Sequence, residues 1–557
     1  MYSVGVNRGH NSSTSLLNDG EIVFHLENER LTNIKYDWYA FQSLSKIRDH
    51  TDSVDQIAIA GLTRTVKADV YSENDLYTTF IRNQSKSFLQ KQVAISDVGM
   101  LHHQLHAACS FYNSGFSEAI CIVKDGMGSD YPIKHYRFSP ESYGRENGSV
   151  FLAQYPNTFD LVENHILFPH NEVIKINEKT TVSNNISEAY AFNTVAKHFG
   201  YHGLDAGKVM GLSSYGEPDK KIPKIYKNGY INSDLFKIGK DVTDIYLNTE
   251  KYPYLNSDEF QVKANLSYAL QQQTQKNVRD YILRMVRKTG CKNVCLSGGY
   301  FLNCVANYYL QKRFPNVQLY CEPISHDGGT AIGGAKLTWH SNNNDKTIRK
   351  QISLYYGPKY SEEQLKQSIL QVKDKFNTYQ GNPKAVAELL NEGNIVTLFQ
   401  GSSEAGPRAL GNRSILYNAT DPNGKEFVNK VKGREWFRPF AGTILEEDVN
   451  EWFDLAGMDS SPFMMYAVDV KQNKIPSITH VDNTCRIQTV NKDQNENYYN
   501  IINEFKKLTG VPIVFNTSFN LAGEPLVETV NDAINVLLNS DIKYLYLPEI
   551  KLILEKK

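Results

Sequence analysis

The sequence contains no run approaching the ~18–20 apolar residues that a membrane helix requires, so no membrane-spanning helix is expected. It carries no surplus of charge either: 60 Lys and Arg against 61 Asp and Glu leave a formal charge of −1. That excludes a polybasic nucleic-acid coat and an acidic tail protein, and leaves room only for a local basic groove. Cysteine is sparse and odd in number, seven in 557 residues, with Cys291 and Cys295 the closest pair beside a strand-like run. Neither a disulfide framework nor a zinc-finger spacing can be drawn from them, so reduced thiols in a cytoplasmic protein are the simplest expectation. The opening, Met1-Tyr2-Ser3-Val4-Gly5-Val6-Asn7-Arg8, turns polar at once and predicts no secretory leader. Internal sequence repeats are missing, and so are low-complexity tracts beyond one short Asn-rich stretch.

What is present is a globular balance, 41% hydrophobic and 22% charged, which disfavours a disordered chain and suits several α/β domains. Val4 and Val6 open a strand. Asn18-Asp19-Gly20 is a tight-turn signal, and Ile22, Phe24 and Leu26 then alternate with polar neighbours as a half-buried strand does. Three further strands run into glycines: Ala119–Val123 before Asp125-Gly126, Asn293–Leu296 before Ser297-Gly298-Gly299, and Val317–Cys321 before Asp327-Gly328-Gly329. Such junctions place a site at loops beyond strand ends. Ser341-Asn342-Asn343-Asn344-Asp345 is polar and aperiodic, which sets domains at residues 1–345 and 346–557. Beyond it Ser361 and Gln364 spell a capping box. Leu365, Ile369, Val372 and Phe376 mark a helix face, and a final apolar strand is expected near Tyr544–Leu547.

Leu101-His102-His103-Gln104-Leu105-His106 is the sharpest local signal for chemistry. On a helix His102 and His106 are i and i+4, so their imidazoles share a face and can share a metal, whereas His103 lies about 100° round. Asn113-Ser114-Gly115 supplies the helix stop. Two hydrogen-bonded histidines on an amphipathic helix would read the same way. A metal would need carboxylates from elsewhere, and Asp125 and Asp327, each at a strand end before glycine, are the candidates. That nitrogen and oxygen set suits iron, manganese or zinc without choosing among them.

The glycine junctions, with Lys208 beside Gly207, offer backbone N–H groups to a phosphate, or are simply tight turns. The densest constellation is Glu404-Ala405-Gly406-Pro407-Arg408-Ala409-Leu410-Gly411-Asn412-Arg413-Ser414, followed by Lys432-Gly433-Arg434-Glu435-Trp436-Phe437-Arg438-Pro439-Phe440. Arg486 and Asn516-Thr517-Ser518-Phe519-Asn520 come later. Guanidinium forks among glycines and apolar residues suit bidentate phosphate binding. Structural pairs with Glu404 and Glu435 account for some of them, and the neutral overall charge argues against a nucleic-acid groove.

At these residues the chain resembles the NodU/CmcH family of ATP-dependent O-carbamoyltransferases. The likeness runs in order along nearly the whole chain. It takes in Gly9-His10-Asn11-Ser12-Ser13, His102 and His106, Lys208-Val209-Met210-Gly211-Leu212, and Ser297-Gly298-Gly299 with Leu302-Asn303-Cys304. Asp327-Gly328-Gly329-Thr330, Gly406 through Leu416, Arg438-Pro439-Phe440-Ala441, Thr479-His480-Val481-Asp482, Arg486-Ile487-Gln488 and Asn516 through Asn520 with Gly523-Glu524-Pro525 follow. The resemblance implies an α/β fold with an actin-like ATPase (ASKHA)-type N-terminal domain and a YrdC-like C-terminal domain. The latter would make carbamoyl adenylate from carbamoyl phosphate and ATP, releasing phosphate and pyrophosphate; the former would pass the carbamoyl group to an acceptor hydroxyl.

On that scheme Arg408 and Lys432 would be catalytic and, with Arg413, Arg438, Arg486, Asn516 and Ser518, would hold phosphate, carbamate and nucleotide. Lys208, Gly298, Gly299 and Asn303 would contact the nucleotide. His102, His106, Asp125 and Asp327 would hold a divalent metal, Fe2+ ahead of Mn2+ or Zn2+, as a Lewis acid, with Mg2+ accompanying ATP. His10 is the candidate base for the acceptor hydroxyl, or else a bond to the metal-site loop, and Lys35 matches an acceptor-facing position. Three positions depart from the family pattern: Gly442 stands for a usual Pro, Gly433 for a usual His and Asn483 for a usual Gly. None removes a proposed charge.

The acceptor is expected to be a small-molecule hydroxyl, on a natural product or sugar, or a hydroxymethylated nucleobase in DNA such as 5-hydroxymethylcytosine. Arg64, Lys67, Arg82, Lys86 and Lys91 with Tyr71, Tyr77 and Phe80 could meet a polyanion or form a lid over a small acceptor. No membrane partner is expected, and a homodimer is the assembly allowed for. Two other classes stay open: a sugar kinase of the actin-like superfamily, which would ignore carbamoyl phosphate, and a carbamoyl carrier acting on a partner protein.

Overall fold

A computed structural model of the chain describes all residues except 63–78, 81–82, 84–92, 140–141, 171, 228 and 240–241. Of the basic and aromatic residues named between Arg64 and Lys91, all but Phe80 therefore lie outside the described residues. The chain divides into two compact units: Met1–Asn28 with Asp37–Gln351, and Glu29–Tyr36 with Ile352–Lys557. Among the described residues no helix is long and apolar enough to cross a membrane.

The first unit is built on two sheets with one wiring. In the first, the spatial order is Glu21–Glu27, Ser13–Asn18, Tyr2–Arg8, Gln56–Gly61, Ala94–Asp97. The first two neighbouring pairs are antiparallel and the last two parallel. The turn at Asp19-Gly20 takes φ +48° and +83°, the left-handed pair that a two-residue hairpin requires. The hairpin expected there is thus part of a three-stranded meander. The second sheet has eight strands, and five of them run in the order Thr158–Leu167, Tyr143–Gln154, Glu118–Val123, Asn293–Ser297 and Gln318–Cys321, again two antiparallel pairs and then two parallel ones. Numbered along the chain among these five strands, each sheet reads 3-2-1-4-5, the duplicated arrangement of an actin-like core.

Parallel strands covered on both faces read as unbroken apolar runs, and Ala119-Ile120-Cys121-Ile122-Val123 is wholly buried. Helix His102–Ser114 covers the second sheet, helix Gly329–Asn343 covers the first, and the two helices pack on each other. Gly115, at φ +80°, ends the first of them where the sequence places its stop. The polar stretch beginning at Ser341 starts inside the second helix. Asn344 closes that helix at φ +48°, and Asp345 accepts from Trp339 Nε1 and Arg349 Nη1, each at 2.8 Å.

The second unit carries a ten-stranded sheet ordered Phe376–Gln380, Leu552–Lys556, Tyr544–Leu547, Val396–Phe399, Arg413–Tyr417, Ile513–Ser518, Ala441–Leu445, Thr484–Val490, Ala467–Val470, Phe453–Asp454. Helix Glu362–Leu370 opens with the Ser361/Gln364 capping box. It stops at Leu370, however, and Phe376 begins a strand paired with Leu552–Lys556. The spacing of Val372 and Phe376 continues the helical period only by coincidence, and sheet pairing overrides it. That same pairing makes Leu552–Lys556, not Tyr544–Leu547, the last strand.

Candidate active site

In the first unit, elements that are distant in sequence deliver side chains to one point. His102 and His106 project from the first turns of helix His102–Ser114. Asp125 follows strand Glu118–Val123, and Asp327 precedes helix Gly329–Asn343. One ligand atom from each of these four buried residues lies within 4.8 Å of all the others. His102 Nε2 stands 3.5 Å from Asp125 Oδ2 and 3.8 Å from Asp327 Oδ1, and His106 Nε2 stands 3.6 Å from the same Asp327 oxygen. Both imidazoles are completely buried, and neither ring nitrogen of either has a hydrogen-bond partner among the described residues. Buried polar atoms in folded proteins generally find a hydrogen-bond partner. Two orphaned imidazoles facing two carboxylates at these separations fit a divalent ion with nitrogen and oxygen ligands.

The charge state agrees with that fit. Burial pushes the Asp125 carboxyl upward, but His102, His106 and the Gly299 N–H together hold it well below the usual carboxylate range. Burial likewise opposes protonation of His102, and the Asp327 and Asp125 carboxylates overcome it and raise its pKa. A positive charge is thus favoured at the centre of the group. His10 Nε2 lies 3.3 Å from Asp327 Oδ2, the oxygen other than the one nearest His106, and its ring is partly open to solvent. Asp327 therefore links the candidate base to the cluster. Glu146, unforeseen from sequence, is held up to about 7 by burial, which outweighs the nearby His102.

Gly298 and Gly299, expected to cradle a phosphate, have their N–H groups taken up elsewhere. Gly298 donates to the Ser325 carbonyl at 3.0 Å and Gly299 to Asp125 Oδ1 at 2.9 Å. Gly298 is at φ +95°, and a Cβ there would lie 2.5 Å from the Lys124 carbonyl oxygen. These glycines position a carboxylate. Asn303 caps helix Cys304–Arg313 through Ala306 N and pairs with Gln271 at 2.8 Å. Lys208 stands on helix Ala206–Ser213, paired with Asp205 at 3.0 Å and lying over Tyr201.

In the second unit, one end of strands Ile513–Ser518, Ala441–Leu445 and Thr484–Val490 brings Asn516, Arg486 and the Arg438 loop together, since Ala441 pairs with both Arg486 and Asn516. Lys432 is buried, and its Nζ donates to the Asn520 carbonyl at 2.7 Å and to the Ser518 carbonyl. Burial first, then Arg434 and Arg438, push Lys432 well below the usual lysine range. Arg434 faces Arg438 and Arg486, lies over the Phe440 ring at 4.4 Å, and has an Nε with no partner among the described residues. Arg438 has Glu435 at 3.6 Å, the one expected arginine–glutamate pair here. Asn516 is fully buried, with Nδ2 on Thr443 and the Ala409 carbonyl and no described partner for Oδ1. The Ser518 hydroxyl donates to Asn520 Oδ1 at 2.6 Å. So many cations around so few carboxylates form a candidate anion cradle.

Three residues of this unit have tasks that sequence alone did not distinguish. Arg413 is fully enclosed. Its guanidinium donates to the Gln400, Asn412 and Gly401 carbonyls, faces Glu528 at 3.8 Å and stacks 3.7 Å over Phe399. Such an arginine holds the loop rather than reaching a ligand. Glu404 makes no side-chain ion pair with an arginine among the described residues: its Oε1 accepts from the N–H groups of Leu410, Asn412 and Arg413 at 2.8, 2.8 and 3.1 Å, shaping the loop that presents Arg408. Arg434 stands two residues after Lys432 in the sequence, and that spacing is the signal that places it beside the lysine. Lys35 is exposed, in the short segment Glu29–Tyr36 that belongs to this second unit.

Comparison with known proteins matches residues 47–336 to the family model described as Carbamoyltransferase N-terminus, and residues 387–554 to Carbamoyltransferase C-terminus. The nodulation protein NolNO of Sinorhizobium fredii is 30% identical over 567 residues, spanning 96% of this chain and 77% of that protein. The nodulation protein NolO of Bradyrhizobium diazoefficiens is 31% identical over 465 residues, spanning 80% of this chain and 77% of that protein. Among solved structures, full-length HypF in its phosphate- and nucleotide-bound form is similar over 60% of this chain and 55% of that chain, at 13% identity and a TM-score of 0.35. Two family models covering most of the length, and a relative 30% identical over 96% of this chain, lead to one conclusion: the chain belongs to the carbamoyltransferase family.

Proposed function

We propose that the chain is an ATP-dependent O-carbamoyltransferase that activates carbamoyl phosphate in its second unit and carbamoylates an acceptor hydroxyl in its first. The observation that carries this reading is the convergence of His102, His106, Asp125 and Asp327 beside His10, in a chain of this family. The cradle of Lys432, Arg434, Arg438 and Arg486 suits the phosphates of carbamoyl phosphate and ATP. There water hydrolyses carbamoyl phosphate to carbamate and phosphate, and the carbamate oxygen then attacks the α-phosphorus of ATP, breaking the bond to the β-phosphate, releasing pyrophosphate and leaving carbamoyl adenylate. Arg408 and Lys432 offset the charge that gathers on the phosphoryl oxygens.

In the transfer step His10 takes the proton of the acceptor hydroxyl. With Nε2–H donated to Asp327, Nδ1 is the nitrogen carrying the lone pair. His102, His106, Asp125 and Asp327 would hold a divalent ion, Fe2+, Mn2+ or Zn2+, which when bound supplies Lewis-acid polarisation. The acceptor oxygen forms its bond to the carbamoyl carbon, AMP leaves, and the carbamate ester is the product. A small-molecule hydroxyl and a hydroxymethylated nucleobase are the two acceptor classes proposed.

The test is to incubate the chain with ATP, carbamoyl phosphate and Fe2+ or Mn2+, without acceptor, and to measure pyrophosphate. Release that depends on carbamoyl phosphate is expected; its absence overturns the reading. A search for +43 Da adducts on sugars and on hydroxymethylated nucleosides then separates the acceptor classes.

A further inference from the structure

Behind the metal-ligand cluster lies a buried polar chain that no step above uses. On helix His102–Ser114 the residues His102, His106, Cys109 and Asn113 follow one stripe at i, i+4, i+7 and i+11. Helix Gly329–Asn343 presents Gly329, Gly333, Lys336 and His340 at the same spacing. At Gly333 the two helices touch backbone to backbone: a Cβ would lie 2.0 Å from the Leu105 carbonyl oxygen. One turn further on, Lys336 Nζ donates to Asn113 Oδ1 at 2.7 Å and to the Tyr112 carbonyl at 3.4 Å. Asn113 Nδ2 in turn donates to Glu322 Oε2 at 3.0 Å. Glu322 also accepts from the Tyr320 hydroxyl at 3.2 Å and from Ile324 N–H at 3.0 Å.

Asn113, Glu322 and Lys336 are all buried. A buried Lys and Glu bridged by one amide is no better for stability than apolar residues of the same shape, so its use is to be sought in geometry. Asn113 lies about 10 Å along the helix from His106. Glu322 and Lys336 sit on either side of Asp327 in the chain, Glu322 just after strand Gln318–Cys321. We infer that Lys336, Asn113 and Glu322 form a positioning relay that fixes the helix bearing His102 and His106 against the segment bearing Asp327, and so sets the geometry of the metal centre. The inference rests on the metal reading of the cluster. The relay touches no reacting atom; a sub-ångström error in ligand placement is enough to loosen a metal site.

The experiment uses the full chain loaded with Co2+ alone, reading its visible d–d spectrum and its affinity by chelator competition. The wild type is expected to bind one equivalent, and His106→Ala to lose it; failure of the wild type to bind overturns the metal reading itself and the relay with it. The double variant Lys336→Met/Glu322→Gln removes both charges at near-constant shape. It is expected to stay folded by circular dichroism, with a shifted d–d band and Co2+ affinity about tenfold weaker, as for other outer-shell changes. Ile332→Val, which trims the same helix in the core, is the control and is expected to keep the wild-type spectrum. Should the double variant not fold, Asn113→Asp, which removes the donor to Glu322, is expected to show the same spectral shift. An unchanged spectrum and affinity in the relay variants, or equal losses in Ile332→Val, overturns the relay.

Discussion

Gly299 donates its backbone N–H to Asp125 Oδ1 at 2.9 Å, and the other oxygen of that carboxylate faces His102 at 3.5 Å. The glycine pair is therefore part of the ligand architecture, acting one bond behind Asp125. Gly298 sets it up: its φ of +95° and the 2.5 Å approach of the Lys124 carbonyl exclude a side chain. Gly298→Ala is expected to cost about 1–3 kcal/mol of stability and to weaken metal binding about tenfold or more. Thermal melting and metal content after equilibrium dialysis check both.

The two half-reactions should separate. His102→Ala removes a cluster ligand and none of the cradle, so pyrophosphate release from ATP and carbamoyl phosphate should continue. Carbamoyl transfer should fall by about a thousandfold or more, as the loss of several kcal/mol of Lewis-acid stabilisation implies. Equal loss of both activities in a folded variant would sink the two-site scheme.

The complementary changes are Lys432→Met and Arg434→Lys. The first should lower pyrophosphate release by about 10²–10³-fold, the scale for losing one aimed charge. The second keeps a charge but not the fork, and should lose less. Metal content should not change in either.

Anion binding at the cradle should also take up a proton. Burial, Arg434 and Arg438 hold the Lys432 ammonium well below the usual lysine range, and a bound phosphate favours its charged form. The pKa therefore rises on binding, protons are absorbed, and affinity for carbamoyl phosphate falls as pH rises through the window between the free and bound values. Calorimetric titration in two buffers of different ionisation enthalpy measures the uptake, and Lys432→Met should abolish it.

Acid stability should depend on His340. Its ring stacks on Tyr112 at 4.2 Å and its Nδ1 meets the Asp345 carbonyl at 2.6 Å. Burial lowers its pKa to about 4, and the nearby Arg349 and Lys336 cations act with burial against the pull of Asp345. The unfolded chain, near the usual 6.5, then binds the proton more tightly, so stability is lost as pH falls from about 6.5 toward 4. The loss should be about 2 kcal/mol at pH 5. His340→Asn, which keeps a donor for Asp345, should flatten urea-measured stability over that range; an unchanged slope would refute the assignment.

Much of the site could be read from residue types at strand ends. Histidines four apart on a helix and aspartates before glycines mark candidate metal ligands because strand termini open onto a common loop layer, and those four residues do meet. The roles of the glycines could not be read the same way. A Gly-Gly turn offers N–H groups, but whether they face a phosphate or a carboxylate is settled by a neighbour 174 positions away in sequence. Arg413 and Arg408 are equivalent on paper, yet burial under Phe399 makes one a strut. Asn483, where the family has Gly, sits at φ +59°, a left-handed position that Asn tolerates. The duplicated sheet order was invisible as a repeat because what recurs is strand pairing, while the side chains on the two copies differ.

That duplication gives the cluster a near-twofold plan. His10 follows the first strand of one half and Asp125 the first strand of the other. His102 and His106 stand on the helix after one fifth strand, and Asp327 just before the helix after the other. All the imidazole thus comes from one half and all the carboxylate from its counterpart, so neither half alone possesses the donors for the site.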